Sequence, residues 1–130
     1  MAHKKYLTKE DKKKSLAKNN SKYWKTRNGK LMMTYNNMNR RVRGYVKSHM
    51  YKDLDLLSRK DFYNFSLCGE AYHKLYEDWV NSEYDRKLSP SIDRIDSSKG
   101  YVLGNIQWIT HSENSRLGSI SRWANVKMDL

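Results

Sequence analysis

The chain has 130 residues, enough for one modest core but not for a second independent one. Its 26 basic and 14 acidic residues leave a net charge of +12, and the first 50 residues carry all of it: residues 1–50 hold 15 Lys/Arg against 2 acids, and residues 51–130 hold 11 against 12. A polyanionic partner fits such one-sided charge, nucleic acid before an anionic membrane surface, while the single Cys68 excludes an intrachain disulfide and a thiolate zinc knuckle.

No run approaches the roughly 18 apolar residues that span a bilayer. The start Met-Ala-His-Lys-Lys has no apolar core of a secretory signal, so a soluble, cytoplasmic protein is expected. Residues 1–30 are rich in Lys, Asn and Ser and too poor in apolar groups to order alone. They read as a basic arm, flexible or nascently helical, with Lys12, Lys13 and Lys14 facing phosphates and Tyr23 or Trp24 packing or stacking. A single domain is expected over 31–130.

In chain order, Leu31, Met32, Tyr35, Met38, Val42, Tyr45, Val46 and His49 fall near helical spacing, which predicts one helix over 31–50. Arg40, Arg41 and Arg43 on its flank are candidate phosphate contacts. Ser58-Arg59-Lys60-Asp61 opens a second helix in the manner of a capping box, ended by Gly69. Within it Cys68 is expected as a small buried apolar residue. A third helix over 70–82 turns Tyr72, Leu75, Tyr76, Trp79 and Val80 inward, with His73 beside that face in a structural or solvent role. These elements form the helical part, 31–83.

Pro90 then breaks the helical pattern. Residues 91–96 alternate as a strand does, 97–100 read as a turn with Gly100 at positive φ, and a second strand is expected at 106–109 with Ile106 and Trp108 packing inward. Thr110 or Ser112 caps a short helix carrying Glu113, Asn114, Arg116 and Leu117, with Gly118 as its stop. The tail 119–130, with Ile120, Trp123 and Val126 at helical spacing, is expected to dock on the core. The predicted fold class is α+β, mostly helical, with a two-stranded antiparallel hairpin and a helix forming a finger over 88–118.

The finger carries the chemistry. Asp93 stands on its first strand, Asn105 just before the second and Asn114 on the helix; folding the hairpin against the helix brings a carboxylate and an amide oxygen to one space. Two hard oxygen ligands suit a single Mg²⁺ or Mn²⁺ better than a closed zinc site. Asp96 is expected to stabilise the turn through its carboxylate. Lys99 and Arg116 flank the site as candidate contacts to a nucleic-acid backbone.

The string Pro90-Ser91-Ile92-Asp93-Arg94-Ile95-Asp96, continuing through Gly100-Tyr101-Val102-Leu103-Gly104-Asn105-Ile106-Gln107-Trp108 to Ser112-Glu113-Asn114-Ser115-Arg116, resembles the HNH, or His-Me finger, endonucleases of bacteriophages and mobile introns. The resemblance implies a ββα-metal finger that hydrolyses phosphodiesters of DNA, double-stranded above all, as a homing or nicking enzyme acting as a monomer or a homodimer. It makes Asp93 a metal ligand, Asn105 the brace of the loop and Asn114 the second ligand. Arg94 departs from the pattern, standing where the family has its general-base histidine, and a guanidinium cannot take a proton near neutral pH. Arg94 is instead a candidate to grip the scissile phosphate. Water activation then falls to His111, to Tyr101 or to a metal-activated water, with His111 preferred for its intrinsic pKa. The alternative is a nucleic-acid-binding module, regulator or packaging accessory, with a catalytically inactive finger.

Overall fold

The computed structural model describes residues 8–128, without the side chains of 15–20 and 121–128. The order of elements is α1 (Lys9–Trp24), α2 (Arg27–Val42), α3 (Ser48–Tyr51), α4 (Arg59–Cys68), α5 (Ala71–Asn81), a 3-10 turn (Arg86–Leu88), β1 (Pro90–Arg94), β2 (Ile106–Thr110) and α6 (His111–Met128). The fold is α+β, mostly helical, with one two-stranded antiparallel sheet. The chain divides into two units, Met1–Met33 and Thr34–Leu130. No helix among the described residues is long and apolar enough to cross a membrane.

In the first unit the basic segment is helical. Thr8 caps α1, its hydroxyl accepting from the Asp11 N–H at 3.0 Å, and Glu10 and Asp11 in the first turn complement the helix dipole. Lys12, Lys13 and Lys14 are exposed, and Tyr23 meets Trp24 edge-on. Thr26 starts α2, its hydroxyl donating to Tyr23 O at 2.6 Å and accepting from the Gly29 N–H at 3.0 Å.

The single helix expected over 31–50 is broken. α2 ends at Val42 because Gly44 takes φ +84°, while the Gly44 N–H bonds Arg41 O and the Tyr45 N–H bonds Arg40 O, each at 3.0 Å. This is the paired closure of a Schellman motif. Tyr45 and His49 are therefore exposed, off the apolar stripe where periodicity put them, and a separate one-turn helix, α3, follows left-handed Lys47.

In the second unit Ser58 caps α4 as expected, accepting from the Asp61 N–H at 3.1 Å, and α4 runs to Gly69. Phe62 and Ser66 are its buried residues; Cys68, expected inside, is exposed because it sits on the outer side of the last turn. α5 buries Tyr72 and Trp79, and the His73 ring nitrogen meets Leu67 O at 2.8 Å, which ties α5 to the end of α4.

Strands β1 and β2 pair in the register Pro90↔Thr110, Ser91↔Ile109, Ile92↔Trp108, Asp93↔Gln107 and Arg94↔Ile106. Ile92, Ile106 and Trp108 face inward. Trp108 is the joint: its ring lies 4.5 Å from Tyr72 of α5 and 5.7 Å from Phe62 of α4, and its Nε1 donates to Ser66 Oγ at 2.9 Å. Such ring pairs contribute about 0.5–1.5 kcal/mol each beyond area burial. Gly118 does not stop α6, which continues to Met128; glycine inside a helix costs only about 1 kcal/mol. Of the expected docking tail, Ile120 is exposed, and the side chains of Trp123 and Val126 lie outside the described residues.

Replacing Trp108 with Ala is expected to cost about 3–5 kcal/mol, read as a lowered urea midpoint, because it empties the space between two helices and strands the Ser66 hydroxyl.

Candidate functional site

Side chains alternate along a strand, so the register sorts the hairpin into two faces. Pro90, Ile92, Arg94, Ile106, Trp108 and Thr110 share one; Ser91, Asp93, Gln107 and Ile109 share the other. On that second face Gln107 Nε2 donates to Asp93 Oδ2 across the pair at 2.9 Å. α6 covers the same face through Asn114, whose Nδ2 donates to Ser91 Oγ at 2.7 Å and to Ile92 O at 3.2 Å. A carbonyl can only accept, so the amide nitrogen must face Ile92, and the planar group turns Oδ1 away from those two acceptors. Among the described residues neither Asn114 Oδ1 nor Asp93 Oδ1 receives a hydrogen bond. Ser91 and Gln107 escaped the sequence reading, though strand periodicity about Asp93 was their available signal.

The loop from β1 to β2 is held from inside by Asn105, which is buried. Its Oδ1 accepts from the Asp96 N–H at 2.8 Å, and its Nδ2 donates to Gly100 O at 2.8 Å and Asp96 O at 3.1 Å. The main chain adds Ile95 N–H to Asn105 O at 2.8 Å. Asp96 caps the turn, accepting from the Ser98 hydroxyl at 2.6 Å and the Ser98 N–H at 2.9 Å. Those two Ser98 bonds, aided by Lys99 and Arg94, hold its carboxyl below the usual carboxylate range.

Arg94 points into this loop. Its Nη1 donates to Ser97 O at 2.9 Å and Lys99 O at 3.1 Å, and its guanidinium lies 4.2 Å from the centre of the Tyr51 ring. It stands on the hairpin face opposite Asp93, with the bonds of a loop brace rather than those of a free phosphate fork. Tyr51 in turn stacks on Tyr101, with centroids 5.9 Å apart and planes 3° apart.

Tyr101 is unsuited to water activation. It is buried, and its hydroxyl accepts from Arg41 Nη1 at 3.2 Å. Burial pushes the phenol up, only partly offset by Arg41, so it stays protonated near neutral pH. The same bond ties half-buried Arg41 to the loop through one guanidinium nitrogen, whereas Arg40 and Arg43 are exposed.

His111 opens α6, and its N–H donates to Ser89 O at 2.8 Å. It precedes Asn114 by one helical turn, at the end of the hairpin about 13 Å along the strand from Asp93. Thr110 caps α6, accepting from the Glu113 N–H at 3.1 Å. Arg116 is exposed and ion-paired with Glu113, its Nε donating to Oε2 at 3.0 Å, and this contact lowers the Glu113 carboxyl. Lys99 is exposed at the loop tip.

Gly100 is required for closeness and not, as the turn pattern suggested, for positive φ; the left-handed glycine of this loop is Gly104, at φ +87°. A Cβ at Gly100 would lie 2.1 Å from Asp55 O. The contact exists because Tyr101 N–H donates to Asp55 O at 2.8 Å and Leu57 N–H to Tyr101 O at 2.7 Å, a parallel bridge that pins the loop to the segment before α4.

As a metal centre the arrangement offers one carboxylate and one amide oxygen, a hard donor set that fits Mg²⁺ or Mn²⁺ with the remaining positions left to water and substrate. Among the described residues no group of three or more His, Cys, Asp or Glu side chains converges. Comparison with family models, with curated proteins and with solved structures finds no match.

Gly100→Ala is expected to destabilise the protein by about 1–3 kcal/mol or more in urea unfolding, since the added methyl meets backbone. Asp96 has a depressed folded pKa, so its contribution to stability is present above the unfolded value and is lost as pH falls through the folded one. In a carboxyl NMR titration Ser98→Ala is expected to move the Asp96 midpoint upward, toward the usual range.

Proposed function

We propose that the protein is a divalent-metal-dependent DNA endonuclease of the HNH type, hydrolysing phosphodiesters at the face shared by Asp93 and Asn114. The observation that carries this reading is the double anchor of Asn114 on Ser91 Oγ and Ile92 O, which brings a helix amide onto the strand face of Asp93 from 21 residues away.

Asp93 and Asn114 would hold the ion, each fixed by a neighbour: Gln107 orients the carboxylate, and Ser91 with Ile92 O orients the amide. When bound, Mg²⁺ or Mn²⁺ supplies Lewis-acid polarisation of the phosphodiester and offsets charge on its oxygens. Asn105 and Arg94 keep the loop in one shape, so the carboxylate is presented without reorganisation. His111, on the same helical stripe as Asn114, is the candidate base, and from the end of the hairpin it would take the proton of the attacking water through an intervening water.

A second reading, a nucleic-acid-binding module without cleavage, is favoured by one observation: the guanidinium in the base position is spent on loop carbonyls. Incubating the protein with supercoiled plasmid, with and without Mg²⁺ or Mn²⁺, separates the two. Conversion to open-circular or linear DNA is expected, and its absence with every metal favours the binding module. Asp93→Ala and Asn114→Ala are expected to lose more than about 100-fold in rate with binding retained, and Gln107→Ala about 10–100-fold. Wild-type cleavage by either ligand variant defeats the assignment of the site.

A further inference from the structure

The segment 43–52 between α2 and α4 is a closed surface loop. Its ends meet where Asp53 N–H donates to Val42 O at 3.0 Å, and its base is fixed by Tyr51, which stacks on Tyr101 and carries the Arg94 and Arg41 guanidiniums at 4.2 and 5.5 Å. Short loops of this kind, with joined ends and internal packing, frequently carry function.

Tyr45 stands on this loop with 72 % of its surface exposed. Its backbone is fixed as the last residue of the Schellman closure, a position whose side chain ordinarily packs on the helix three residues before the cap. Here the residue it would pack on is Arg40, so the ring stays outside. Arg40, Arg43, Lys47 and Lys52 surround it in sequence and are all exposed, and the Lys52 stem folds back along Gly44, whose Cβ would lie 3.3 Å from it. Residues 43–52 contain no acid; the first is Asp53, at the closing bond.

We propose that this loop binds a single nucleic-acid strand, with Tyr45 stacking on an unpaired base and the four cations neutralising the flanking phosphates. A ring on a turn can stack only on a base whose face is open, and duplex DNA covers those faces, so the ring directs the loop to a single strand while the cations alone would serve either form. Tyr51 and Arg94 join the loop base to the hairpin that carries Asp93, on the face opposite that carboxylate. The inference rests on nucleic acid as the substrate, and its readout is binding without metal, so it stands or falls separately from cleavage.

The test uses the full chain in EDTA, with fluorescence anisotropy on a labelled 20-nucleotide single strand, on its duplex, and with anionic phospholipid vesicles as competitor. Tyr45→Ala is expected to weaken single-strand binding about 5- to 150-fold and leave duplex binding unchanged, with Tyr45→Trp restoring it. Arg40→Ala combined with Arg43→Ala is expected to lower the log–log salt slope on the single strand by about 1.4. Wild-type single-strand affinity in Tyr45→Ala, equal losses on strand and duplex, or vesicles that displace the strand would each overturn the proposal. If plasmid cleavage is absent but Tyr45→Ala still loses the single strand, the nuclease reading fails and this one holds.

Discussion

Trp108 holds the second unit together. Its ring touches one helix through Phe62 and another through Tyr72, its indole N–H is spent on Ser66, and the strand that carries it is paired over five positions to β1. The strand register then decides which face each residue of β1 takes, so the orientation of Asp93 follows from the burial of a residue on the other strand. A slip by one position would expose Ile92 and bury Asp93, and the apolar gain from Ile92 and Trp108 facing the helices works against that slip. The chemistry of the hairpin is thus set from its back.

Much of this was legible in the residues. Ser58 and Thr110 announce helix starts because a short hydroxyl followed by an acid three residues on has few other local uses, and α5 shows its apolar spacing without interruption. Strand alternation about Asp93 was equally plain. What was hidden depended on distant partners. Gly44 lies inside an unbroken apolar stripe, and only the two hydrogen bonds that close α2 reveal it as an end. Gly118 has no such closure, and the helix passes through it. Gly100 looked like a turn residue because nothing local points to Asp55, 45 positions earlier.

Arg94 shows how a residue can be read correctly as unusual and still be assigned by its slot rather than its surroundings. Its position in the motif suggested a partner outside the protein, whereas its neighbours in space are two carbonyls and an aromatic face. A planar fork with several donors satisfies such a site where an imidazole would leave one carbonyl short. The loop therefore has a use for arginine that is independent of any substrate, and the stiffness it gains is shared with Tyr51 and with the segment that carries Tyr45.

The junction of β2 with α6 has no linker: Thr110 is both the last residue of the strand and the cap of the helix. The helical phase is therefore locked to the strand register. Each residue advances the helix by about 100°, so one inserted at this junction would carry Asn114 more than a quarter turn around the axis and off Ser91, even with every side chain unchanged. The spacing between the strand end and the asparagine is a property of the fold in its own right, as restrictive as the identity of the residues it separates.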